Sequence, residues 1–278
     1  MARTTLLQRL SSVSVPWLAD LDDLVAHLCG KAEVAGLVVW GSGAAGAVKP
    51  ESDLDVLLVW ANSDPPFTFV TTRVGAILAE LQVVTVDDVR LVASGADPQT
   101  AWGADVIVEA LRGRILCDTG GVLATAKVQL AGRKLTTPSP AEAFGSWRHA
   151  QYNVRQTRRY LLSPDPDARL AVEARLLYSF HFLLIHYFTV RGMRWRGDKE
   201  ALRYWRSHEP ALLHEWRAAV REPDLGRQVA RYEAMHDRVY APLGGLAPGD
   251  LDLVQPADHL AGDDAPDRAL QAWSELLE

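Results

Sequence analysis

Cysteine is almost missing from this sequence: among 278 residues only Cys29 and Cys117 carry a thiol. Two cysteines are too few for a disulfide scaffold, so both are expected to be buried small hydrophobes in a reducing, cytoplasmic compartment. A long apolar run is also missing. Leu176 to Val190 has no formal charge, but it is too short to span a bilayer and contains Ser179, His181 and His186. A buried core helix is the expectation there, with no membrane association. The opening MARTTLLQRLSSVSVPW holds no continuous apolar segment of the secretory kind. Positive charge is not in excess either, with 29 Lys and Arg against 35 Asp and Glu and a net charge of -6. That balance excludes general nucleic-acid binding through bulk charge, so an anionic ligand must be held by a local basic patch or by metal. Internal repeats and low-complexity tracts are absent. What remains, 48% hydrophobic and 23% charged residues, is the composition of a folded globular chain.

The first 120 or so residues alternate strand and helix patterns. Trp17 to Cys29 has helical spacing with acidic residues outward and Gly30 as a stop. GLVVW, ending at Trp40, is an apolar strand that runs into GSG, and LDVLLVW from Leu54 to Trp60 is a second. A helix is expected over 67–81, then a strand over VVTVDDVRLVA, a helix near Trp102 to Leu111, and the short strand RILCD. No Asn-Gly type of hairpin turn occurs, and the mixture reads as a helix-covered mixed sheet. After Gly121 the pattern becomes helical, over about 122–131, 140–162, 167–191, 198–207, 210–221, 225–239 and 265–277. PSPAE, SPDPD and PLGGLAPGD are among the breaks between them. The expected architecture is α+β: an α/β domain over 1–120 and an all-α domain over 121–278.

The chemistry is concentrated in VVWGSGAAGAVKPESDLDVLLVW. Residues two apart on a strand share a face, so Asp53 and Asp55 project together while Leu54 points to the core. Two adjacent carboxylates repel one another unless a cation lies between them. Hard oxygen ligands suit Mg²⁺, which takes its other ligands from water and substrate phosphates. Gly41, Gly43 and Gly46 let backbone N–H groups approach a triphosphate, to which the Ser42 hydroxyl can donate.

Gly41-Ser42, a short loop with Gly46 and Pro50, and then Ser52-Asp53-Leu54-Asp55 resemble the signature of the DNA polymerase β-like nucleotidyltransferase superfamily. The resemblance implies a nucleotidyltransferase domain in which Asp53 and Asp55 hold two Mg²⁺ ions and Gly41, Ser42 and Ser52 bind the nucleotide. It also implies a third carboxylate on a neighbouring strand. Asp88, in the context Asp-Val-Arg-Leu, is similar to that position and is expected to complete the metal site or act as general base; Asp87 is the alternative. Related proteins often carry Arg or Lys just after the Gly-Ser pair. This chain has Gly43, Ala44 and Ala45 there, with only Lys49 nearby.

In the second half, Arg148, Tyr152, Arg155 and Arg159 form one helical stripe, and no acidic residue lies between Glu142 and Asp165. Gly192, Lys199, Ala201 and Trp205 resemble a segment of the aminoglycoside adenylyltransferases, which implies that Lys199 reaches the nucleotide phosphates. Arg175 and His181 loosely resemble the Arg-His pair of HEPN-type ribonucleases. The resulting expectation is transfer of NMP, AMP from ATP first, to a hydroxyl of a small molecule such as an aminoglycoside or lincosamide, with release of pyrophosphate. This would be an antibiotic-resistance activity. The alternatives are transfer to a protein or RNA partner, as in toxin–antitoxin pairs, and a non-catalytic nucleotide sensor. The helical bundle leaves a homodimer open.

Overall fold

The computed structural model describes residues 16–44, 53–99, 102–249, 251–257 and 264–277. The chain divides into two units, Met1–Leu135 and Thr136–Glu278. The boundary falls later than expected because the helix Val122–Gln129 belongs to the first core: Leu123 and Ala126 pack into it.

The first unit begins with α1 (Leu21–Leu28), capped by the Asp20 side chain. Then come β1 (Val34–Trp40), a single helical turn Gly41–Ala44, β2 (Leu54–Trp60), β3 (Phe69–Val74) and β4 (Ile77–Thr85). α2 (Val86–Ala93), α3 (Ala104–Leu111), β5 (Arg114–Asp118) and α4 (Val122–Gln129) complete it. The strand order is β3-β4-β2-β1-β5, with β2 and β4 parallel and every other neighbouring pair antiparallel. This is the mixed, helix-covered sheet expected from the sequence. The central strands are apolar on both faces because both faces are covered. Val38, Leu57, Val59 and Val84 pack with the residues of α2, α3 and α4. Leu37, Val39, Val56, Leu58 and Val83 pack with Leu18 and Leu24 on the other face.

Two expected elements are corrected. The region 67–81, expected as a helix, forms the β3–β4 hairpin. Its apolar residues Val70, Val74, Ile77, Leu78 and Leu81 do fall at helical spacing, which misleads a periodicity argument. The deciding features are the β-branched run Val70-Thr71-Thr72 and Gly75, whose φ of +60° occupies the first of two loop positions. A Cβ on Gly75 would lie 2.7 Å from the Ala19 carbonyl oxygen, so only glycine closes this loop. VVTVDDVRLVA, expected as one strand, ends as strand at Thr85 and continues as α2. Thr85 and Asp88 form a reciprocal capping box, a Thr-x-x-Asp signal present in the sequence.

The second unit is wholly helical among its described residues. It contains α5 (Pro140–Leu161), α6 (Pro166–Thr189), α7 (Asp198–His208), α8 (Pro210–Val220), α9 (Leu225–Val239), a 3₁₀ turn Ala241–Leu243 and α10 (Ala265–Glu275). The breaks are physical: Ser139 and Glu142 form a capping box ahead of α5, and Asp165 caps α6 with Pro166 in its first turn. α6 buries Leu176, Phe180, Leu183, Leu184, Tyr187 and Phe188, as expected of a core helix, and Trp205 on α7 is fully buried. Among the described residues no helix is long and apolar enough to cross a membrane.

Two histidines lie inside this bundle. His186 meets the Tyr240 hydroxyl, and His236 lies 2.7 Å from the Tyr232 hydroxyl. Burial first, and a neighbouring histidine second, push His186 down to about 4 and His236 to about 3. In the unfolded chain both titrate near 6.5, so between these values the unfolded state binds more protons. Their contribution is therefore complete above pH 6.5 and is lost as pH falls toward 4. By pH 5 each is expected to remove about 2 kcal/mol of stability. Urea melts followed by circular dichroism should show the helical unit's midpoint dropping between pH 7 and pH 5. An unchanged midpoint would mean that neither ring resists protonation.

Candidate active site

The site is assembled at the end of the β1–β2 pair. Trp40, the last residue of β1, lies opposite Asp55, so the turn beginning at Gly41 starts beside that carboxylate. Gly41 has a φ of +61°, and a Cβ there would lie 2.6 Å from the Asp55 carboxylate oxygen Oδ2. Gly43 is equally constrained, because its Cβ would meet Leu54 and Val39 side chains at 2.8 and 2.9 Å. These glycines therefore serve close packing as well as an open backbone. Gly41→Ala is expected to strain the turn and displace Asp55, lowering activity far more than stability. Comparing the turnover and melting temperature of the two proteins checks this.

Asp53, just ahead of β2, is exposed, Asp55 is half-buried, and the charge of Asp53 acts on Asp55. β4 runs parallel to β2 with Glu80 directly beside Asp55. Burial raises the Asp55 carboxyl to about 6, and the charges of Asp53, Glu80 and Glu109 add to the shift. Glu109 comes from α3, which packs on β1 and β2. The Trp40 indole N–H, on the residue opposite Asp55, is buried with no partner among the described residues. Among those residues no three His, Cys, Asp or Glu side chains converge closely enough to hold a metal ion by themselves.

Asp88 does not lie on a strand beside Asp55. Thr85, which begins its capping box, pairs with Trp60 at the far end of β2. Five residues of strand separate Trp60 from Asp55, roughly 17 Å at about 3.3 Å per residue. Both Asp88 oxygens are already engaged. Oδ2 accepts from the Thr85 N–H at 2.9 Å and from the Thr85 hydroxyl at 2.5 Å. Oδ1 accepts from the Gln99 N–H at 2.7 Å. Asp87, the alternative, is exposed and pairs with Arg90 at 3.3 Å. The carboxylate on the neighbouring strand is Glu80, which sequence reasoning missed because it placed that residue in a helix.

The remaining expected residues fall as follows. Ser42 lies in the helical turn with Gly41. Gly46, Lys49, Pro50 and Ser52 lie outside the described residues. Lys199 is exposed in the first turn of α7, in the helical unit. Arg175 and His181 are not brought together: Arg175 donates to Asn153 at 2.6 Å, whereas His181 lies 2.9 Å from Asp198. Cys29 and Cys117 form a disulfide that ties the end of α1 to β5. This corrects the expectation of two unpaired thiols and removes the basis on which a reducing compartment was expected.

No family model matches the chain, and no curated protein matches it. Among solved structures it is similar to a nucleotidyltransferase-like protein from Exiguobacterium sibiricum 255-15, at 12% identity and a TM-score of 0.42. The match covers 79% of this chain and 73% of that one.

Proposed function

We propose that the chain transfers a nucleoside monophosphate from a nucleoside triphosphate, ATP first, to a hydroxyl of a small acceptor. The observation that carries this reading is the contact between Gly41 and Asp55. It sets a glycine turn, suited to phosphate, against a carboxylate held near pKa 6 by burial and neighbouring acids. The donor set fits a hard cation, since like charges crowd around Asp55 and the ligands they do not supply are those Mg²⁺ takes from water and phosphates. With water and phosphates completing the shells and Glu80 adding negative charge beside them, Asp53 and Asp55 would be the protein's ligands to the two ions that the sequence signature implies. Bound there, they would neutralise charge on the transferring phosphoryl group and on pyrophosphate.

The Gly41-Ser42 turn orients the triphosphate through its backbone N–H groups. The acceptor oxygen bonds to the α-phosphorus as the bond to the bridging oxygen breaks, and pyrophosphate leaves with that electron pair. Glu80 receives the acceptor's proton. A second reading, a nucleotide sensor without turnover, is favoured by one feature: Gly43, Ala44 and Ala45 supply no cation for the triphosphate.

The test is Mg²⁺-dependent pyrophosphate release from each NTP, screened with aminoglycosides, lincosamides and co-purifying protein or RNA, using Asp53→Ala as control. Release with one acceptor class, lost in the variant, is the expected result. Nucleotide binding without turnover on any acceptor would support the sensor, and retained turnover in Asp53→Ala would overturn the site.

A further inference from the structure

Part of the positive charge on α5 and α6 meets no carboxylate among the described residues. α5 has no acidic residue after Glu142, and α6 has none after Glu173. On α5, Arg155 of the basic stripe donates to the carbonyls of Pro248 and Leu251, at 3.0 and 2.5 Å, and Arg158, outside the stripe, pairs with Glu233. Arg148 on α5 and Arg175 on α6 are different. Each has a buried Nε with no hydrogen-bond partner, and neither forms a salt bridge among the described residues. A guanidinium taken partly out of water without a counter-ion is unfavourable, and the imbalance is relieved by an anion from outside.

Arg175 borders a seam of aromatic rings, and the charges of both arginines act on His149 within it. Arg175 donates to Asn153 at 2.6 Å and lies 5.8 Å from the centroid of Tyr152, which is 50% exposed. Tyr178, 39% exposed, packs edge-on to Phe182, and Phe182 packs edge-on to His149. Burial, with the charges of Arg148 and Arg175, pushes His149 down, so it adds no third cation at neutral pH. The opposite face of α6 has another chemistry: Glu173, His181 and Asp198 border a largely apolar cavity of about 590 Å³. The cationic and aromatic groups are thus gathered on one side of the helix.

We propose that the α5–α6 seam binds an aromatic phosphate, a nucleoside phosphate, with Arg148 and Arg175 on the oxyanion and the Tyr152 and Tyr178 rings against the base. Guanidinium forks match phosphate geometry, and exposed tyrosines stack on a base without reading its edge. The proposed site uses none of the carboxylates at the end of β2, and binding there would need no divalent cation.

The experiment is a calorimetric titration of AMP into the full chain in EDTA, with inorganic phosphate and adenosine as separate probes. AMP is expected to bind more tightly than either fragment. Arg148→Gln and Arg175→Gln should each weaken it by about tenfold, Tyr152→Ala should weaken it several-fold, and Asp53→Asn should leave it unchanged. A thermal melt of each variant separates lost binding from lost fold, and Arg148→Gln, which removes no hydrogen bond among the described residues, remains informative if Arg175→Gln unfolds. Absence of AMP binding in EDTA would overturn the proposal, as would binding indifferent to both arginines or lost with Asp53→Asn. Phosphate binding as tight as AMP would overturn the aromatic half. None of these outcomes bears on pyrophosphate release, so the two readings fail separately.

Discussion

Replacing Asp55 with asparagine is expected to abolish nucleotidyl transfer while raising the melting temperature of the α/β unit. The two effects share one cause. Burial and the charges of Asp53, Glu80 and Glu109 raise the Asp55 carboxyl to about 6 from an ordinary 3.8. The folded state therefore binds more protons than the unfolded state between those values, and stability declines as pH rises through 6. At neutral pH the carboxylate is ionised against that repulsion. Asp55→Asn would remove the repulsion, which after allowance for partial exposure stabilises by about 1 kcal/mol. The same substitution deletes the charge on which the proposed metal site depends, so turnover should fall on the order of 10³-fold or more. The stability gain should be present at pH 7.5 and absent near pH 4, where the native carboxyl is already protonated. Equal melting temperatures at both pH values would show that Asp55 is not under this repulsion.

Reduction of the Cys29–Cys117 disulfide should destabilise the α/β unit and leave the helical unit's transition in place. The bridge closes a loop with a sequence separation of 88, which encloses β1 to α3. Opening so long a loop restores entropy to the unfolded chain, and the expected loss is roughly 2–4 kcal/mol. Urea melts of oxidised protein, reduced protein and the Cys29→Ser/Cys117→Ser variant should place the last two together, well below the first. Coincident curves for all three would show that the thiols are unpaired in solution.

The fold was legible where local signals were strong. The helices from α4 to α10 follow Ser-Pro, Asp-Pro and Gly breaks, and α5, α6 and α9 add side-chain caps whose bonds are local, so sequence position alone identifies them. β1 and β2 are short, apolar and rich in valine, and β5 is a short strand around Ile115 and Leu116; all three read correctly from local composition. The failures lie between residues 67 and 93. There, apolar residues at helical spacing form a hairpin closed by Gly75, and a Thr-x-x-Asp cap was read as strand continuing through it. That error placed Asp88 on a strand it does not occupy and left Glu80, the residue beside Asp55, out of the sequence reading. Asp88 resembled the family position by its neighbours in sequence, while Glu80 reaches Asp55 only through the parallel β2–β4 register, a long-range pairing that no local pattern encodes. The disulfide was illegible for a similar reason: Cys29 and Cys117 meet only after α1 and β5 have folded on the same sheet. Gly41 and Asp55 were both named from sequence, but their contact is a property of the β1–β2 register.

The most direct test of the central claim, that the carboxylates at the end of β2 form a divalent-cation site, is electron paramagnetic resonance of Mn²⁺ titrated into nucleotide-free protein. Wild type should show saturable binding that Asp55→Asn abolishes, Glu80→Gln weakens and Asp88→Asn leaves intact wherever that variant remains folded. Binding that survives Asp55→Asn, or no saturable binding in the wild type, would contradict it.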